Sequence, residues 1–220
     1  MPLKAILFDF DFTLADSSVP VVTCITHALA SAGHPVPDRM AIERTIGLSL
    51  TETFAALSPN GDPDLLSRYF IAKADEVMVR GTEIFPEVSE AVTALAGLGL
   101  KLGIVSTKFR FRLDAILARY GLDGRFELVL GHEDVSRTKP DPEGLMIACR
   151  RLAVKHGEAL YVGDSLVDAE AAARAGIRFM AVLHGRTLAE EFVAYRPLAI
   201  LPDLLPLIEM AGEYINKGPE

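Results

Sequence analysis

Short apolar runs alternate with amphipathic stretches along most of the chain, and one long interval interrupts them. The run Ala5-Ile6-Leu7-Phe8 is too short for a helix and carries no polar position, as a strand covered on both faces would. Similar runs at 101–106, 126–130, 159–162, 179–182 and, more weakly, 199–201 predict five further strands. Helical spacing predicts helices over 86–98, 110–120, 142–152, 166–175, 187–195 and 204–215. Gly99, Gly121 and Gly176 stand where three of them should stop, and Asp141-Pro142 where one should start. Strands alternating with helices predict an α/β fold, a doubly wound parallel sheet of Rossmann-like type.

The interval from 17 to 83 has a different pattern. Ser17 or Ser18 can cap a helix with Pro20 in its first turn, stopped near Gly33, and further helices are expected over 39–46, 51–57 and 63–79. Breaks fall at Gly47-Leu48-Ser49 and Ser58-Pro59-Asn60-Gly61, and no strand pattern occurs. This predicts a small all-α domain, 17–83, inserted into an α/β core formed by 1–16 and 84–220, with hinges near 15–18 and 81–85. Residues 216–220 are expected to fray.

Composition narrows the function classes. With 220 residues, 50% hydrophobic and 24% charged, the chain can bury a large core. Its net charge of −8 argues against nucleic acid or an anionic membrane as partner. Cys24 and Cys149 form no metal or redox spacing. The N-terminus predicts no signal peptide, and no apolar run reaches the roughly 20 residues of a membrane helix. A cytoplasmic protein, monomer or homodimer, is expected.

Polar residues gather where strands end, which is where open parallel sheets bind ligands. The first strand runs into Asp9, Asp11 and Thr13; the next ends at Ser106, Thr107 and Lys108; Thr138-Lys139-Pro140 follows the third; Gly163-Asp164-Ser165, with Asp168 a turn later, follows the fourth. Taken singly, these are turn formers, helix caps and a loop lysine. Taken together, three carboxylates at one sheet edge suit Mg²⁺. An ionised Asp beside it can attack phosphorus, a second acid can protonate the leaving oxygen, and a hydroxyl and a lysine can hold phosphoryl oxygens. Such a site would let an acidic protein bind an anion.

The ordered set DFDFTL at 9–14, Ser106, Lys139-Pro140 and GDSLVD at 163–168 resembles the four motifs of the haloacid dehalogenase superfamily, in its phosphoglycolate phosphatase-like branch. The resemblance implies a nucleophile at Asp9, a general acid/base at Asp11, and phosphate-binding groups at Ser106, Thr107 and Lys139. It implies Mg²⁺ on Asp9, the Asp11 carbonyl and Asp164, with Asp168 and Thr13 supporting them from behind. The first and fourth core strands should be neighbours, and the helical insertion should be a cap whose Arg44 and Gly47 are candidates to reach the site. Two residues depart from the pattern. Phe12 replaces the usual glycine, implying that no glycine-only backbone is needed there and letting its ring turn toward the cap; Thr107 replaces a common asparagine. The presence of Asp11 favours phosphate-ester chemistry over dehalogenation, which has no alkoxide to protonate. The substrate would be a small phosphorylated metabolite such as phosphoglycolate, pyrophosphate, a sugar phosphate or a nucleotide. A pyrophosphatase or a sugar-phosphate mutase is the alternative within the family, and a signalling receiver domain a distant one outside it.

Overall fold

The computed structural model describes residues 1–216. Strands β1 (Ala5–Phe8), β4 (Lys101–Val105), β5 (Leu128–Leu130), β6 (Ala159–Gly163), β7 (Arg178–Val182) and β8 (Ile200–Leu201) form one sheet. Its order is β5-β4-β1-β6-β7-β8, and every pairing is parallel. The first strand therefore lies between the strands that end at Ser106 and at Asp164. The order reverses there, and that point is where a doubly wound sheet offers a ligand crevice.

Both faces are dry. Ile6 and Phe8 join Leu102, Ile104, Leu160 and Val162 on one side, under α5 (Val88–Gly97), α6 (Arg110–Arg119) and α9 (Leu205–Asn216). Ala5, Leu7 and Tyr161 face the other way, under α7 (Glu143–Arg151) and α8 (Leu166–Ala175). This two-sided burial explains why the strands read as unbroken apolar runs. Asn216 closes α9, and the rest of the segment expected to fray lies outside the described residues.

The inserted segment folds as α1 (Ser18–Ser31), α2 (Arg39–Glu43), α3 (Leu50–Leu57) and α4 (Pro63–Gly81). These helices share a separate core of Ile25, Leu29, Phe54, Leu66, Phe70 and Met78. Two-residue strands β2 (Ala15–Asp16) and β3 (Glu83–Ile84) pair antiparallel where the chain leaves and re-enters the sheet domain. Both lie within the expected hinges, but two residues carry too little periodicity to be read as strands. Three helix expectations need correction. The second cap helix stops at Glu43 instead of 46, the helix expected from 86 begins at Val88, and the stretch over 187–195 is a 3₁₀ segment, Ala189–Tyr195.

Candidate active site

The strand geometry that would have kept Asp9 and Asp11 on one side ends at Phe8. Beyond it the chain coils tightly, with the amides of Thr13, Leu14 and Ala15 all donating to the Phe10 carbonyl. The two acids consequently take different partners. Asp9 is buried, with Oδ1 at 2.7 Å from Lys139 Nζ. Asp11 turns toward the cap side, where its Oδ1 accepts from Ser17 Oγ at 2.5 Å and pairs with Lys108 Nζ at 3.1 Å.

Asp168, fully buried in the first turn of α8, organises the lysine. Its Oδ1 accepts from Lys139 Nζ at 2.6 Å and contacts the Tyr161 hydroxyl at 3.0 Å. Its Oδ2 accepts from the amide and the hydroxyl of Ser165. Lys139 also donates to Tyr161 at 2.9 Å, so this ammonium cannot swing away without breaking several bonds at once. The tight fit extends to the backbone: a Cβ at Gly163 would fall 2.6 Å from Asp168. Asp164 is held less firmly, by the Thr13 hydroxyl at 3.4 Å.

Burial dominates the electrostatics. It pushes the Asp9 carboxyl up to about 7, with Lys139 opposing and Asp168 assisting. Burial, then Asp168 and Asp9, push Asp164 well above the ordinary carboxylate range. Burial would lower the Lys139 ammonium, but Asp168 and Asp9 outweigh it and the net direction is upward. Three buried acids thus share one lysine, and the cluster lacks positive charge.

A divalent cation fits that deficit. Carboxylate oxygens of Asp9, Asp164 and Asp168 lie within 4.8 Å of one another. Both oxygens of Asp168 are already taken, whereas Asp9 is engaged through Oδ1 by Lys139 and Asp164 only through the long Thr13 contact, so these two have the spare ligand capacity. An all-carboxylate oxygen set suits a hard ion such as Mg²⁺, which needs only one or two protein carboxylates. The carboxylate of Asp11 is not part of this cluster.

The remaining candidates fall into place around this centre. Ser106 is buried, and its Oγ accepts from the Lys108 amide. Thr107 donates to the Gly47 carbonyl at 3.2 Å, so its hydroxyl is engaged by the cap loop. Gly47, at φ +100°, brings the cap loop within reach of both Thr107 and Ser165. Arg44 is exposed and rims a second cavity beside Asp164, away from the one that contains Asp11.

The comparisons with known proteins agree with this geometry. The sequence profile of the haloacid dehalogenase-like hydrolases matches residues 6–182. The chain belongs to that family. It is 31% identical to pyrophosphatase PpaX of Bacillus velezensis, over 96% of this chain and 97% of the relative. It is 28% identical to phosphoglycolate phosphatase of Photorhabdus laumondii, over 96% and 93% respectively. A solved structure from Bacteroides fragilis, described as haloacid dehalogenase-like, superposes with a TM-score of 0.90 at 42% identity, covering 93% of this chain and 99% of its own. The expected adjacency of the first and fourth core strands is met, since β1 pairs with β6.

Within this family member, the reading of Phe12 must be reversed. It adopts φ +56°, the left-handed region that glycine favours. The conformation costs a non-glycine residue about 1–2 kcal/mol. Burial of the ring in the cap core contributes about 1.5–3 kcal/mol, enough to offset it. The expected turn of that ring toward the cap is therefore correct. Sequence reading puts Lys108 at a strand end without a role and takes Ser17 only as a helix cap, whereas both meet Asp11; it passes over Tyr161 and Gly185. Tyr161 looks like one more apolar strand residue, and Gly185 carries no side chain, although its backbone abuts Asp164 so closely that a Cβ would overlap Oδ2.

Proposed function

We propose that this hydrolase is a Mg²⁺-dependent phosphatase acting on a small, phosphoglycolate-like phosphate monoester through an aspartyl-phosphate. One observation carries the reading: a buried carboxylate, Asp9, is held against a lysine that is itself fixed by Asp168 and Tyr161. Lys139 would orient a phosphoryl oxygen and balance its charge, and Ser106 would donate a further hydrogen bond. Asp9 would attack phosphorus as the ester P–O bond breaks, with Asp11 giving its proton to the departing alkoxide oxygen. Asp11 would then take a proton from water as that water attacks the Asp9-bound phosphorus, releasing inorganic phosphate and restoring both acids. Mg²⁺ on Asp9 and Asp164 would supply Lewis-acid neutralisation of the phosphoryl charge.

The space beside Asp11 limits the leaving group. A cavity of about 270 Å³ lies between core and cap, bordered by Asp11, Thr107 and Lys108 on one side and Ile46, Gly47 and Phe70 on the other. That is below the usual size of sites for drug-sized ligands, which favours a compact substrate. Lys108 faces this space next to the proton donor, favouring a leaving group that carries its own negative charge. Glycolate and phosphate, the products released by enzymes of the relatives' names, both meet that requirement.

The test is Asp9→Asn, with phosphate release measured from phosphoglycolate, pyrophosphate and a panel of small esters in saturating Mg²⁺. Turnover should fall by about 10³-fold or more, as for loss of a nucleophile, with unfolding still cooperative. Substantial residual activity would exclude Asp9 as the nucleophile.

A further inference from the structure

The loop after β7 touches three parts of the molecule at once. Gly185 lies against the Asp164 carboxylate. The next residue, Arg186, points to the cap, where its Nε and NH2 groups both reach Glu43 Oε2 at 2.7 Å. Glu43 is the last residue of α2, its side chain is only 2% exposed, and its Oε1 accepts from Arg39 Nε at 2.6 Å. The same Arg186 guanidinium sits 5.6 Å from the centre of the Phe12 ring, within cation–π range. Phe12 is the strained residue between Asp11 and Thr13, and its amide donates to Ala15, the first residue of β2.

One arginine of the sheet domain thus joins a buried cap carboxylate to the residue that shapes the catalytic loop. If the cap lifts, Glu43 leaves with α2, and a buried carboxylate that has lost one of two cationic partners is costly. Arg186 is then free to move, and the face of Phe12 that it covers is uncovered. The left-handed turn at Phe12 depends on burial of that ring, so the loop holding Asp9 and Asp11 loses support at the moment the cap opens.

We propose that Arg186 is a positioning residue that couples the cap to the catalytic loop, so that Asp9 and Asp11 are held in their working arrangement only while Glu43 is seated on it. The kinetic side of this statement rests on the phosphatase reading above; the structural side does not.

The substrate-free protein supplies the first test. The amides of residues 12–15 are all hydrogen-bonded within the loop, so their hydrogen exchange reports its integrity. In Arg186→Gln and in Glu43→Gln, exchange across 12–15 should quicken about tenfold together with that of α2, while Arg186→Lys stays near wild type. Glu43→Gln is the sharper variant, because it alters the cap side of the pair and the readout lies in the loop. Kinetically, Arg186→Gln and Phe12→Leu should each lower kcat about tenfold with KM changed less than about threefold. Faster exchange confined to α2 would reduce Arg186 to a tie between domains and overturn the coupling. A raised KM with unchanged kcat would make it a substrate contact and overturn it equally. If the wild-type protein hydrolyses no phosphate ester, the phosphatase reading fails while the exchange result still decides this one.

Discussion

The shortage of positive charge around Asp9 makes stability depend on pH in a direction opposite to that of most carboxylates. An unfolded chain releases the Asp9 proton near its ordinary 3.8, whereas burial delays release in the folded protein to about 7. Between those values the folded state binds more protons than the unfolded one, so stability is lost as pH rises through that window. For one carboxyl the displacement is worth about 4 kcal/mol, and Asp164 is pushed in the same direction. Mg²⁺ requires these carboxylates ionised, so its stabilisation should grow over the same window. At a hundred times its dissociation constant, it contributes about 2.7 kcal/mol. For a chain of this size that corresponds to about 5–10 °C in Tm. The assay is thermal unfolding by circular dichroism at pH 5.5 and pH 8, with chelator or with Mg²⁺, in the wild type and Asp9→Asn. The metal-free wild type should lose stability between the two pH values relative to the variant, and Mg²⁺ should restore it mainly at pH 8. A Mg²⁺ shift that is equal at both pH values, or a wild type that gains stability toward pH 8 relative to Asp9→Asn, would refute the argument.

Two further substitutions probe the surroundings. Gly185→Ala forces a methyl group onto the Asp164 carboxylate, and should cost about 1–3 kcal/mol and raise the half-saturating Mg²⁺ concentration about tenfold. Gly97→Ala, where a Cβ meets nothing within 4 Å, serves as the control; equal effects in a Mg²⁺ titration would exclude the clash. Lys108→Met removes the ammonium beside Asp11, and its loss of kcat/KM should be about tenfold greater for phosphoglycolate than for an ester with an uncharged leaving group. Equal losses for the two substrates would sink the role of Lys108 in selecting an anion.

Most of the sheet and its acidic edge can be read directly from the chain, because a charge at the end of a four-residue apolar run is costly and calls for a partner. Asp9 and Asp164 announce themselves in this way, each placed just beyond a strand, whereas Lys139 and Asp168 stand out only as members of the ordered set. The features that escape do so for identifiable reasons. Lys108 and Arg186 look like solvated loop cations until tertiary packing brings them to Asp11 and Glu43, since nothing local marks a lysine or arginine as paired across domains. Glu43 resembles an ordinary polar position of a surface helix, yet it is buried by residues more than a hundred positions away. Phe12 misleads because a bulky residue argues against a positive φ, and only the cap core, formed by distant helices, makes that conformation favourable. The divergence of Asp9 and Asp11 likewise depends on the coil after Phe10, for which strand alternation offers no guide.

The pairing of β2 with β3 sets how the helical unit is attached to the sheet domain. Asp16 and Glu83 are register partners, so their Cα atoms are about 5 Å apart. The whole helical unit therefore leaves and returns through a doorway one strand pair wide. A doorway of that width can be closed by a two-residue hairpin turn or opened to receive any module whose ends meet. From the point of view of the sheet, the helical unit is a separable insert, with a core of its own and a single strand pair as its threshold.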